Sequence, residues 1–418
     1  MNRKLRIAVL AVVCTASTSV AHAEVSFHGY GQTVVGTTLS NNRQFPNGQQ
    51  FGVPTYSADP NFQPESNFAL QATAPVSDSI NAVAQVLALG IDDFQPKFQW
   101  AYLKYQFNDA FALKAGRLQL PLYIYSDFLY VGEAYPWIVP PQSVYLAQVT
   151  NYDGFDLSAE QSIGDWYLYA QFYYGSVHRD FLGQPAPLTG VQDELHIDAK
   201  NNLGFTLDAT YNDWLTLHGA FIADRITLCC ESQIQSIVDA LYQQNLNDGA
   251  SGVDARNDVA MYWNAGIQIN RARWVILSEY SGLGYRGDSA LLPIRESAYI
   301  SVGRRIGRLT PMVTYGHQNQ WMSTKMTKSI PDTAIDPNTH VPFDTELLVI
   351  SQSPNIRGKD SYYGVVLRYD LTNTVALKLD FTHYDSHYHT SDYPFAVFAG
   401  YTNPQDANRL SAAVTFTF

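Results

Sequence analysis

Apolar and polar residues alternate along most of this chain in runs of about ten. The last run, Ser411 to Phe418, reads S-A-A-V-T-F-T-F and alternates to its final phenylalanine. Successive side chains of an extended strand point to opposite faces, so each run predicts a strand with one apolar face. Sixteen runs can be read: 25–36, 67–76, 80–89, 98–107, 110–118, 151–161, 166–177, 203–211, 214–227, 259–270, 274–285, 294–306, 309–318, 361–371, 374–384 and 408–418. The links between them alternate in length. Those at 77–79, 108–109, 162–165, 212–213, 271–273, 307–308 and 372–373 are short, and their Asn, Asp, Ser and Gly residues suit tight hairpin turns. Those at 37–66, 119–150, 178–202, 228–258, 319–360 and 385–407 are long, and only 90–97 and 286–293 are brief. The prediction is an all-β, closed antiparallel barrel of about sixteen strands, with turns on one rim and loops on the other. A further hairpin within 319–360 or 191–202 would make eighteen.

The two faces of the strands say what surrounds the barrel. In 374–384 one face carries Val375, Leu377, Leu379 and Phe381, and the other Lys378, Asp380 and Thr382. In 361–371 the sets are Tyr363, Val365, Leu367 and Tyr369 against Tyr362, Gly364, Val366, Arg368 and Asp370. A charge facing lipid near the midplane costs about 2 to 4 kcal/mol, so the charged face lines a wet lumen and the apolar face meets hydrocarbon. Trp166, Trp214 and Trp274 each fall within a residue or two of a short turn. That position suits an amphipathic ring at a membrane interface.

Residues 1–23 read as a cleaved signal peptide: basic Arg3, Lys4 and Arg6, an apolar stretch from Ile7 to Val13, then Ala21-His22-Ala23. Residues 24–418 then form a single barrel domain. No later stretch has the roughly 18 consecutive apolar residues of a membrane helix. Without the three basic residues of the leader, 23 basic residues stand against 38 acidic ones, a net charge of −15. That balance argues against a nucleic-acid partner. Beyond the leader only the adjacent Cys229 and Cys230 remain, which make neither a disulfide framework nor a zinc site.

Together the leader, the strand count, the short turns, the opening V-S-F-H-G-Y-G-Q, the passage from Ala101 through Gly116-Arg117 into a long loop, and terminal Phe418 resemble a Gram-negative outer-membrane porin. The resemblance implies that the third external loop, 119–150, folds inward and narrows the pore. It also implies that three barrels associate, that Phe418 is part of the signal read by the barrel-assembly machinery, and that the belt contacts outer-membrane lipid and lipopolysaccharide. The expected function is passive diffusion of ions and small hydrophilic solutes, without cofactor or catalysis. A barrel enzyme is the rival from another class, but the chain offers no recognisable catalytic motif.

Strand parity places Lys104, Lys114, Arg305, Arg368, Lys378 and Arg409 in the lumen, with Asp156, Glu160, Asp208, Glu279, Asp370 and Asp380. Arg117 counts as outward by parity, and a bulge would turn it inward. These basic residues, facing Asp127 and Glu133 of the 119–150 loop, are the candidate constriction. Neutralising Lys378 and Arg409 together is expected to move the reversal potential towards cations. The loop's rings, Tyr123, Tyr125, Phe128, Tyr130, Tyr135 and Trp137, suggest either a stacking surface for sugars or aromatic solutes, or packing that holds the loop against the wall. His383, Asp385, His387 and His389 recur at period two and are weak metal candidates at the extracellular rim. Finally, Ile234, Ile237, Val238, Leu241 and Tyr242 predict an amphipathic helix over 231–244. The barrel rim or a neighbouring subunit is its expected cover.

Overall fold

Each strand of the computed structural model hydrogen-bonds to the next in sequence, and the last returns to the first, closing one antiparallel barrel. The structure describes residues 24–39, 56–145, 150–185, 192–229, 232–254, 256–285, 294–321, 329–331, 333–338, 340–343, 357–388 and 407–418. The leader, Cys230 and His389 lie outside the described residues, as do the side chains of Cys229 and His387. The strands are β1 (Ser26–Thr38), β2 (Asn67–Ser77), β3 (Ile80–Leu89), β4 (Pro96–Gln106), β5 (Phe111–Gln119), β6 (Asn151–Ile163), β7 (Trp166–Pro185) and β8 (Gln192–Tyr211). They continue as β9 (Leu215–Cys229), β10 (Asp258–Arg271), β11 (Trp274–Tyr285), β12 (Ile294–Arg304), β13 (Leu309–Trp321), β14 (Arg357–Asp370), β15 (Val375–Tyr388) and β16 (Ala407–Thr417). The number is sixteen, as the alternation predicts.

The alternation also gives the correct faces. Leu377, Leu379 and Phe381 of β15 are exposed on the outer surface, while Lys378, Asp380 and Thr382 between them are buried inside. Closure runs from Tyr30 opposite Thr417 to Thr38 opposite Arg409. Beyond it, Gly29 and Phe418 exchange two backbone bonds of 2.9 Å. Gly29 admits the Phe418 ring, which lies 2.2 Å from where a Cβ would sit. At the short turns Trp166 packs on Tyr211, Arg271 lies over Trp214, and Arg304 lies over Trp274. Among the described residues, no helix is long and apolar enough to cross a membrane.

Two features depart from the sequence reading. β7 and β8 run well past 177 and below 203, pairing as far as Pro185 with Gln192. The segment near 191–202 is thus the upper part of β8, not an added hairpin. A bulge between Gly175 and Val177, opposite Asn201 at φ 53°, shifts the register there. A one-residue shift reverses which face each side chain takes, so a strict period-two pattern stops at 203. The predicted helix is present as α1 (Ser232–Gln243), followed by α2 (Asn247–Val253). Its stripe, Ile237, Val238 and Leu241, is covered by Ala250 of α2 and by Ile330 and Phe343 from the loop between β13 and β14. The expected cover, the barrel rim or another subunit, is replaced by a second external loop.

Candidate functional site

The described part of the 119–150 loop enters the lumen and is packed and bonded against the wall from β5 round to β16 and β1. At its base Leu120 N donates to Thr150 O at 2.8 Å. Thr206 on β8 donates to Pro121 O at 2.9 Å, and His218 on β9, held by Asp208, meets Leu122 O at 3.3 Å. Next, the Ile124 N–H donates to Glu279 on β11 at 3.1 Å. The hydroxyls of Tyr145 in the loop and Tyr299 on β12 donate to the other oxygen of the same carboxylate. Glu279 is 1% exposed, and these three donors replace the water it has lost.

The returning limb crosses to β13–β16. Trp137 Nε1 donates to Thr314 Oγ1 at 3.1 Å. Arg368 pairs with the Glu133 carboxylate at 2.6 Å and donates to the carbonyls of Glu133 and Tyr135. Lys378 donates to the carbonyls of Gly132, Tyr135 and Trp137. Its ammonium has three donors, and three loop carbonyls receive them. Thr415 on β16 donates to the second Glu133 oxygen.

Arg409 serves a different loop. It pairs with Glu65, just ahead of β2, at 2.7 Å and reaches Asp380 at 3.5 Å, while Tyr56 donates to Glu65 at 2.9 Å. Burial pushes the Glu65 carboxyl up, and Arg409 opposes that shift. Lys378 and Arg409 are only 3% and 4% exposed. Arg368, Lys378 and Arg409 point inward as parity places them, and Arg368 meets Glu133, but Lys378 binds loop carbonyls and Arg409 binds Glu65, so two loops cover these cations. Glu65 and Tyr56 have no strand parity to flag them, and sequence reasoning missed them. Glu279 was flagged as an acid facing the lumen, but its role as a loop anchor was not.

The loop aromatics divide in the same way. Tyr123, Tyr125, Tyr135 and Trp137 are buried in one cluster that continues through Tyr145 to Tyr299. Trp137 meets Tyr125 and Tyr299 edge-on, at centroid distances of 6.0 and 5.6 Å. Phe128, at the loop's turn, is 53% exposed, and Tyr130 is half-buried. Asp127 beside Phe128 reaches the lumen surface; its surroundings inside the barrel push the carboxyl up by desolvation, and Lys114 of β5 opposes that shift. Lys104 is directly opposite Lys114 across β4 and β5, and Asp156 of β6 is opposite Lys114 on its other side. Arg305, just beyond β12, is exposed and donates to Asn270 at 3.0 Å. Arg117 remains on the outer surface and pairs with Asp153 at 3.0 Å, so no bulge brings it inside. His383 bonds Asn408 at 3.0 Å.

Solved structures share this fold at low sequence identity. No protein-family model matches the chain, and neither does any curated protein. Among solved structures, a loop L8 deletion mutant of OmpT, an outer membrane protein of Vibrio cholerae, superposes with a TM-score of 0.54 at 10% identity, covering 94% of this chain and 99% of its own. The outer membrane channel DcaP of Acinetobacter baumannii gives 0.52 at 10% identity, covering 94% and 97%. An anion-selective porin from Comamonas acidovorans gives 0.52 at 10% identity, covering 94% and 99%. The chain therefore has the closed antiparallel barrel fold of bacterial outer-membrane proteins. Porins and channels of that membrane are among its structural neighbours.

Proposed function

We propose that this barrel is a passive channel for ions and small hydrophilic solutes across the outer membrane, narrowed by the 119–150 loop. The observation that carries the reading is the anchoring of that loop inside the barrel by bonds to its wall. Its wall bonds run to β8, β9, β11 and β13–β16, while Asp127 at its turn interacts electrostatically with Lys114 of β5. In this reading the loop narrows the pore, and the charged groups left in contact with lumen water set ion preference. In this reading Lys104, Lys114 and Asp127 line the opening. Arg368, Lys378, Glu133, Arg409 and Asp380 hold loops in place. Arg305 lines the periplasmic mouth.

Reconstitution in a planar bilayer tests the proposal: stable single-channel openings are expected, and a membrane that stays silent overturns it. Removing a lumen cation makes the potential less attractive to anions. Lys114→Gln is therefore expected to move the reversal potential in a salt gradient towards the cation value. A second reading, selection of sugars or aromatic solutes, is favoured specifically by Phe128, whose ring is exposed at the loop's turn. Current block by a panel of such solutes that disappears in Phe128→Ala would support it. We also propose a homotrimer as the working unit, with native mass measurement in detergent as its check. Catalysis forms no part of the proposal.

A further inference from the structure

On a chain whose formal net charge is −12, the short-turn rim between β10 and β13 stands out, because it collects arginines without acids. The turn after β10 reads Arg271-Ala272-Arg273 and the turn after β12 reads Arg304-Arg305-Ile306-Gly307-Arg308. Among the described residues, Arg271, Arg273, Arg304 and Arg308 form no ion pair; Arg308 donates to Leu371 O at 3.2 Å.

The register sharpens this patch into a site. Arg271 is directly opposite Trp274, and Trp274 is directly opposite Arg304, so the three form one row across β10, β11 and β12. The row faces outward, where Trp274 is 44% exposed and Ile300, further up β12, is exposed on the same face. With strands about 4.8 Å apart, the two arginine Cα atoms are separated by roughly 10 Å, within reach of one anion from both sides. Each guanidinium lies over an indole, Arg271 over Trp214 at 4.5 Å and Arg304 over Trp274 at 5.3 Å. Stacking fixes the guanidinium planes while leaving their N–H forks open to a phosphate.

We propose that Arg271, Trp274 and Arg304 form a binding site for the phosphate of an anionic phospholipid in the periplasmic leaflet. The two guanidiniums take the phosphate, the indole lies at the glycerol level, and the acyl chains run up the apolar belt past Ile300. Charge complementarity selects the occupant: two unpaired cations meet lipid at the height where headgroups sit.

The test is native mass spectrometry of the folded full-length barrel in neutral detergent, titrated with dioleoyl phosphatidylglycerol or dioleoyl phosphatidylcholine. Preferential retention of phosphatidylglycerol is expected, together with a loss of about tenfold or more in Arg271→Gln/Arg304→Gln. Equal retention of the two lipids overturns the proposal, and so does undiminished retention in the double variant. Displacement of the lipid by millimolar inorganic phosphate also overturns it, since the site would then recognise free phosphate. If the double variant does not fold, Arg304→Gln alone serves as the variant, with the same readings.

Discussion

At the residue scale, Glu279 is the lumen carboxylate that ties both limbs of the 119–150 loop to the wall. Its oxygens receive the Ile124 N–H from the outgoing limb of the loop, the Tyr145 hydroxyl from the returning limb, and the Tyr299 hydroxyl from the wall. Glu279→Leu keeps the volume but leaves three donors without an acceptor, at about 1 to 3 kcal/mol for each one that stays buried. Water entering the lumen would relieve that cost by letting the loop lift away. The expected outcome is a lower unfolding temperature for the loop's attachment and a larger, noisier single-channel current. Glu279→Gln keeps one acceptor oxygen and is expected to fall between Leu and the parent. An unchanged current in Glu279→Leu would mean that the loop stays in place without this anchor. Arg117 shows the opposite case, since its exposed pair with Asp153 on the outer surface is worth about 1 kcal/mol or less.

At the element scale, the 119–150 loop behaves as a second small core inside the barrel. Trp137 is buried against Tyr125, Tyr135 and Tyr299, and its indole N–H is satisfied by Thr314. Trp137→Ala is expected to cost about 3 to 5 kcal/mol, read as loss of thermal stability with a widened pore. Phe128→Ala removes a ring already in contact with the lumen, so stability should hold while any block by aromatic solutes weakens. Circular dichroism melts paired with current recordings separate the two variants. This division was only partly legible in the sequence. The parity of β14, β15 and β16 reads off directly, because lipid on one side and water on the other impose period two on every residue. A loop carries no such period. Nothing in the spacing of Tyr123, Phe128 and Trp137 says which ring is packed and which is bare, nor that Glu65 lies beneath Arg409. The cover of α1 by Ile330 and Phe343 was illegible for the same reason: it joins two loops about ninety residues apart whose contact no strand register encodes.

At the scale of the whole barrel, a row of glycines crosses the wall where the 119–150 loop departs. Gly116, Gly154 and Gly175 are directly opposite one another across β5, β6 and β7, on the lumen face. Gly116 has φ 137°, a backbone that L side chains rarely adopt. At Gly154 a Cβ would lie 2.1 Å from the Tyr174 carbonyl oxygen, and at Gly175 it would lie 2.4 Å from that of Asp153. Those neighbours are backbone, which cannot turn aside as a side chain could. The absence of side chains lets adjacent backbones approach closely there. Gly154→Leu should therefore oppose closure itself, at about 1 to 3 kcal/mol or more. Gly219 on β9, with nothing within 4 Å of its Cβ position, is the matched control. Refolding into detergent followed by gel electrophoresis without heating is expected to show a reduced compact band for Gly154→Leu and a full one for Gly219→Leu. If Gly154→Leu folds in full yield, closure does not depend on this close approach, and the loop's departure must instead be set by Gly116 and the first bonds of its base at Leu120 and Thr150.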